Sequence, residues 1–560
     1  MTLASKKNLL MNEELGWSNH KYEGGHLWFK GYLLNTNIQS LFSKIELIFK
    51  KVNFTSKDFS DLLVELKGHF AIVINCNGVI LASVDRVSSI PLFYLDTPKD
   101  KTLSNNALYL SDYANLDTRL IDSSSVLQIA MSGYTIGNKT LFHGLKQLIA
   151  GQAIVIRDET IEQFSYYRYT PNITINSSKK ILKDELTKSL EESFEELIKT
   201  IDGRQVVIPL SAGSDSRLIA SGFKHLGYKN VLCFAYGNKN NFESKTSKYV
   251  ANKLGYSWKH VPISRNSQRS FFHSEEFKDF CIKTETLASI PFIQDVSAVR
   301  WLKNNGIISK NAIIVNGNTG DFISGGHIPR SLKKESIENI DLRTLTSNSW
   351  DDFINKHFSL WGVLRSKEND DNIIKSLKNS LSGMNIAIPS DKEILHGIFE
   401  SLEYFGRQSK FIVNMQRSYE FYDYSWRMPL WSNQMLDFWE KVPRKYKIEQ
   451  NLYKEVLNEN NWGGVWDKIP INSGEINSRS LRSARLFFKL MYFPFGVNAW
   501  HSFERNVFQY FLDNTQNSSI VPYYKVLLDR RGQRHSVSWL AEMYLNKKGF
   551  ENISKNFPNK

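Results

Sequence analysis

The chain has 560 residues, 41% hydrophobic and 13% aromatic, which is too long for one core and too apolar for a disordered chain. Its formal net charge of +14 suits an anionic ligand, a nucleic acid or a membrane surface. The basic residues are spread along the chain, however, and no helix-turn-helix, zinc-finger or RRM-type signature stands out, so nucleic-acid binding is not expected. Cys76, Cys233 and Cys281 make neither a CxxC pair nor a metal-ligand spacing, so neither a disulfide framework nor a zinc site is indicated. The opening stretch MTLASKKNLLMNEELGW is broken by Asn and Glu and does not read as a secretory signal. No apolar run approaches the roughly 20 residues of a membrane span, and a cytoplasmic protein is expected.

The first part is β-rich. Phe70 to Ile74 and Gly78 to Ala82 are apolar runs separated by Asn75-Cys76-Asn77, a hairpin signal. Gln152 to Arg157 and Thr160 to Phe164, around Asp158-Glu159, suggest a second hairpin. The polar stretches Thr170-Pro171-Asn172 and Asn176 to Lys180 form a candidate linker. Beyond it, Leu182, Leu186, Leu190, Phe194, Leu197 and Ile201 fall at helical spacing. Strands are then expected at Val206 to Leu210, Val231 to Tyr236, His260 to Ile263 and Ala312 to Asn316. Helices at Leu218 to Leu226 and Phe242 to Leu254 alternate with them. That alternation implies a parallel sheet with helices on both faces. From about Gly362 to Leu457 the chain reads mostly helical.

Leu210-Ser211-Ala212-Gly213-Ser214-Asp215-Ser216-Arg217 is the most informative segment. Small residues allow a tight turn from strand to helix, so that consecutive N–H groups converge at a helix N-terminus and can hold phosphate. Ser211 and Ser216 add hydroxyl donors. Asp215 would repel phosphate unless it holds a cation, which makes Mg²⁺ a natural companion. There is no Gly-Lys-Ser/Thr ending, so this is not a Walker loop. An ordinary capped turn is the bland alternative.

The segment resembles the Ser-Gly-Gly-x-Asp-Ser pyrophosphate motif of the N-type ATP pyrophosphatases, with Ala212 replacing one glycine. Within that family the chain looks most like the asparagine synthetases and their relatives, the β-lactam synthetases and lasso-peptide cyclases. Tyr236-Gly237 closes a strand where those enzymes set backbone against adenine. Glu243 opens the next helix, where β-lactam synthetases also have glutamate. Asn316-Gly317-Asn318-Thr319-Gly320-Asp321-Phe322, running on to His327, resembles Gly-x-Gly-x-Asp-Glu-x-x-Gly-Gly-Tyr. Arg427-Met428-Pro429-Leu430 resembles Arg-Val-Pro-Phe, and Trp466-Asp467-Lys468-Ile469-Pro470 resembles, loosely, a segment whose lysine contacts phosphates. In the N-terminal part, Gly68 to Ala71, Asp85-Arg86, Pro91 to Tyr94 and Thr140 to Leu145 resemble the glutaminase-type domain of asparagine synthetases.

The resemblance implies an α/β protein of two domains. Residues 1–172 would be a β-rich α+β glutaminase-like (Ntn-type) domain. Residues 180–560 would be a doubly wound parallel sheet of ATP-pyrophosphatase type with helical additions. It further implies ATP held by Leu210, Ser211, Ala212, Gly213, Ser214, Asp215, Ser216, Tyr236, Gly237 and Gly317, and Mg²⁺ held by Asp215 and Asp321. Lys468 and Glu243 would be the catalytic side chains. The implied reaction adenylates a carboxylate and passes ammonia or an amine to it. Aspartate, a polysaccharide uronic acid or a peptide side chain closed into a macrolactam are the candidate acids, and a non-catalytic relative is the rival reading.

Two departures stand out. A class II glutaminase needs an N-terminal cysteine, whereas residue 2 is Thr2, and the glutamine-holding turns are absent, so this domain is expected to be inactive. Asn318 occupies the general-base position, filled by Glu or Tyr in relatives, and accepts no proton near neutral pH. Either the base lies elsewhere or the incoming amine needs little help; His327 and Glu243 are within the matched motifs. Finally, Arg479, Arg482, Arg485 and Lys489 interleave with Leu481, Leu486, Phe487, Phe488 and Leu490. Such a helix can lie on an anionic membrane surface. Packing of its apolar face on the protein is the expected outcome, because apolar stripes are usually core.

Overall fold

The computed structural model describes all residues except 1–3, 7, 23, 52–53, 158–159, 173–176, 239–240, 334–336, 468, 471–478 and 551–560. Thr2 and Lys468 therefore lie outside the described residues, as does the Asp158-Glu159 turn. The chain is of the α/β class, with three sheets among the described residues.

Two of the sheets lie between Ala4 and Ser165. The six-stranded one is antiparallel, and both expected hairpins belong to it. The first strand runs through Gly68–Cys76, so the turn is Asn77-Gly78 rather than Asn75 to Asn77. Both turn residues have positive φ, 49° and 82°, which a two-residue turn matched to strand twist requires. Gly68–Cys76 is buried throughout because the sheet is covered on both faces. Ala71 and Val73 face the main core, whereas Phe70, Ile72 and Ile74 face a smaller one. Helices Ile38–Phe49 and Ser56–Glu65 close that smaller core with Leu41, Ile45, Phe59 and Leu63.

The third sheet is wholly parallel. Its strands are β1 (Val206–Pro209), β2 (Val231–Gly237), β3 (Ser257–Pro262), β4 (Ile313–Val315) and β5 (Ser425–Arg427). The spatial order is β3-β2-β1-β4-β5. Central β1 pairs on both sides, Val206 with Val231 and with Ile313, and Val206, Val207 and Ile208 have no exposed surface. The order reverses between β1 and β4, so the loops leaving these two strands diverge and open a crevice at their C-terminal ends.

Helix α1 (Lys179–Lys199) precedes the sheet, α2 (Ser214–His225) follows β1, and α3 (Phe242–Leu254) follows β2. The α1 stripe Leu182, Leu186, Leu190, Phe194 and Leu197 is buried, as its spacing predicts. Helix α2 begins four residues before Leu218, because Ser214, Asp215 and Ser216 form its first turn. Strand β5 interrupts the stretch read as helical; three residues carry too little periodicity to announce a strand.

The expectation that the basic amphipathic helix packs its apolar stripe is corrected. In α4 (Arg479–Tyr492), Leu486, Phe487, Leu490 and Met491 are exposed. The side turned inward carries Phe488 and Tyr492, which meet Phe503 of α5 (Gly496–Val507). Among the described residues, no helix is long and apolar enough to cross a membrane.

Candidate active site

A cavity of about 550 Å³ opens at the C-terminal ends of β1, β2 and β4. Its floor is the turn from β1 into α2. Gly213 caps α2 with no side-chain hydrogen bond, so the first-turn N–H groups are left for another acceptor. The Ser211 N–H donates to Ser216 Oγ at 3.0 Å, the two hydroxyls lie 2.9 Å apart, and the Gly213 N–H donates to Ser211 Oγ at 3.1 Å. These bonds tie the turn to itself.

Against this floor stands the loop after β4. A Cβ on Gly317 would come within 2.6 Å of the Asp215 carbonyl carbon, and one on Gly320 within 2.5 Å of the Asp215 carboxyl. Only glycine permits that approach. It brings Asp321 to Asp215: the Asp321 N–H donates to Asp215 Oδ2 at 2.9 Å, and the Tyr453 hydroxyl donates to Oδ1 at 3.0 Å. Burial first, and then the Asp321 charge, push the Asp215 carboxyl well above the usual carboxylate range.

Asp321 differs. Burial acts upward on its carboxyl too, but the His327 hydrogen bond and charge hold it below the ordinary range. His327 bridges Asp321 Oδ2 at 3.1 Å and Glu403 Oε1 at 2.5 Å. Burial opposes its positive charge, yet these two carboxylates raise it to about 9. A histidine so held is protonated near neutral pH and fixes Asp321 rather than serving as a base.

The cavity brings together Leu210, Ser211, Gly213, Ser214, Asp215, Ser216, Tyr236, Glu243, Gly317 and Asp321 of the sequence-predicted residues. Ala212 stands off it, buried, with its carbonyl accepting from Arg217. Gly237 also stands off the lining, closed over by the Asn514 carbonyl. Burial raises the Glu243 carboxyl, and Asn318 lines the wall with its amide turned to Met415 Sδ. Phe322, where the motif has Glu, is buried against Tyr169 and Trp431 and carries no chemistry.

Several lining groups had no sequence signal. Arg407 and Lys454 supply positive charge from distant helical segments. Asp295 accepts from the Tyr236 and Tyr419 hydroxyls, each at 2.7 Å. Arg217, behind the turn, donates to the carbonyls of Ala212, Val465, Ile469 and Pro470, so it ties the residues flanking Lys468 to the base of the turn.

Among the described residues, no cluster of three or more His, Cys, Asp or Glu could hold a metal by itself. Two hard carboxylates lining one cavity nonetheless fit Mg²⁺, which takes one or two carboxylates and completes its shell with water and phosphate oxygens.

No protein-family model and no curated protein matches the chain. Among solved structures, one described as the allosteric regulatory enzyme of purine biosynthesis superposes with a TM-score of 0.19 at 12% identity, over 59% of each chain. The glutamine phosphoribosylpyrophosphate amidotransferase of B. subtilis, complexed with ADP and GMP, gives 0.17 at 11% identity, over 53% of this chain and 62% of that one. The chain thus spans about three fifths of each. Superpositions this loose carry no argument about fold or activity.

Proposed function

We propose that this protein is an ATP-dependent amide-forming ligase that adenylates a carboxylate and transfers ammonia or an amine to the acyl group. One observation carries the reading. The uncapped first turn of α2 and the Asp321 loop meet at the reversal point of a parallel sheet, where the Asp321 N–H donates to the Asp215 carboxylate. A helix N-terminus with open N–H groups suits the pyrophosphate of ATP. Two neighbouring carboxylates, Asp215 raised first by burial and then by the Asp321 charge and Asp321 held low, suit a divalent cation that would return Asp215 to the ionised form.

On this reading Asp215 and Asp321 hold Mg²⁺, which when bound screens the charge of the ATP phosphates. Ser211, Ser214 and Ser216 cradle the β- and γ-phosphates. Lys454 and Arg407 add positive charge to the walls. A substrate carboxylate oxygen attacks the α-phosphorus, the bond to pyrophosphate breaks, and an acyl-adenylate forms. Lys468 neutralises the charge on departing pyrophosphate. The nitrogen nucleophile then attacks the acyl carbon and AMP leaves. Glu243 is the wall carboxyl assigned to take the amine proton, since His327 is held charged, Asn318 takes none and Asp295 already accepts from the Tyr236 and Tyr419 hydroxyls. In the same reading residues 1–172 are a glutaminase-like scaffold without glutaminase activity, and residues 180–560 are the ligase.

The test is product analysis. Purified protein incubated with ATP, Mg²⁺, ammonia and a panel of acids, including aspartate and uronic acids, should release AMP and pyrophosphate in equal amounts. ADP and phosphate as the stoichiometric products would sink the mechanism.

A further inference from the structure

We propose that the hairpin of α4 and α5 is a docking element that lies in the headgroup plane of an anionic phospholipid bilayer. Its inner face is filled. Phe488 lies 5.3 Å from Phe503, and Tyr492 stacks on Phe503 at 4.4 Å. Arg485 is pinned by its ion pair with Glu504 and lies over Trp500. Among the described residues, the outer face has no such cover. Leu486, Phe487, Leu490 and Met491, at i, i+1, i+4 and i+5, form one stripe and are 55–67% exposed. At the tip Phe493 is 84% exposed and Phe495 71%. Scattered apolar side chains at a surface need no explanation, but six large ones side by side mark a contact surface.

Charge selects the occupant. Residues 479–507 hold five basic residues and a single acidic one, Glu504, which Arg485 occupies. Arg482 and Lys489, seven residues apart and both exposed, run along one edge of the apolar stripe. Apolar side chains edged by cations are the in-plane pattern: the rings enter the acyl boundary while the charged heads meet lipid phosphates. Helix α4 has 14 residues. At 1.5 Å per residue it is roughly 21 Å long, short of the roughly 30 Å needed to cross the hydrocarbon layer. Two copies of the hairpin face to face would set like charges together. A nucleic acid would pair the cations yet leave the aromatic tip in water. The inference stands on the hairpin alone and is independent of the ligase reading.

The full-length protein should be sedimented with vesicles of phosphatidylcholine alone, or of phosphatidylcholine mixed with phosphatidylglycerol. Binding to the anionic vesicles should be at least about tenfold tighter and should weaken as salt is added. The double variant Phe493→Ser/Phe495→Ser should lose at least about tenfold in vesicle affinity while its melting curve is unchanged. Lys489→Glu, a surface change that leaves the apolar face intact, should weaken binding in the same direction. Absence of binding to anionic vesicles, or both variants binding like the parent, overturns the proposal. So does a dimer in light scattering that dissociates in the Phe493→Ser/Phe495→Ser protein, which would assign the face to a second copy.

Discussion

The backbone N–H of Asp321 donates to Oδ2 of Asp215 at 2.9 Å across 106 residues of sequence. The contact joins the loop after β4 to the turn after β1, and it depends on Gly317 and Gly320 lacking side chains. It makes the two carboxylates one electrostatic unit, so a change in either is felt by the other.

Asp215→Asn should therefore abolish most pyrophosphate release while leaving the fold intact. The amide oxygen can still accept from Tyr453 or Asp321, but a neutral ligand binds Mg²⁺ poorly. A loss of at least roughly 100-fold in turnover is expected, comparable to removing one preorganised electrostatic group. Pyrophosphate assays and a thermal melt check this together; an active, well-folded variant would move the cation elsewhere.

Arg217→Met should release Val465, Ile469 and Pro470 from the turn. The wild-type guanidinium satisfies the carbonyls of Val465, Ile469 and Pro470 from a buried position, and methionine satisfies none. The variant should lose about 3 kcal/mol of stability and be cut faster by a lysine-specific protease at Lys468. Lys468→Ala should lower turnover more than ATP affinity, because its charge matters as pyrophosphate leaves. Equal cleavage of variant and parent would show that Arg217 does not hold these residues.

The Asp321–His327–Glu403 chain makes a pH prediction for the protein kept in EDTA. His327 is raised from 6.5 to about 9 in the fold, so the folded state binds its proton more tightly than the unfolded chain does. That stabilisation is fully present below about pH 6.5 and is lost as pH rises through about 9. It amounts to about 3 kcal/mol. Urea denaturation of parent and His327→Gln proteins should show a gap that is constant in mild acid and closes between pH 7 and 9. A gap that is flat across this range would mean the imidazole is neutral.

Glutamine should not be hydrolysed. Residue 2 is Thr2 rather than the glutaminase cysteine, and its hydroxyl could attack an amide only if Met1 is removed and its own amine serves as base. Incubation with glutamine, with and without ATP and candidate acids, should yield no enzymatic glutamate. Catalytic glutamate release that disappears in Thr2→Ala would instead make residues 1–172 a working glutaminase.

Sequence alone determined the local parts. The run Val206-Val207-Ile208 announced a buried strand, the serines and glycine after it a tight turn into a helix, and the α1 stripe its own buried face. These features were legible because strand pairing and helix packing impose periods of 2 and 3.6 on neighbouring residues. The tertiary structure alone decided what meets what. Tyr453, Arg407, Lys454 and Glu403 carry no local pattern that marks them, yet the fold brings them to the turn or to its partner loop. The three residues of β5 were invisible for the same reason, since they become a strand only by pairing with β4. The helix α4 is the sharpest case. Its amphipathic spacing is equally compatible with burial and with a lipid-facing stripe, because periodicity reports that a face is apolar and not what covers it. Only the placement of Phe503 and Trp500 against one side, and of nothing in the described structure against Leu486 and Leu490, separates the two.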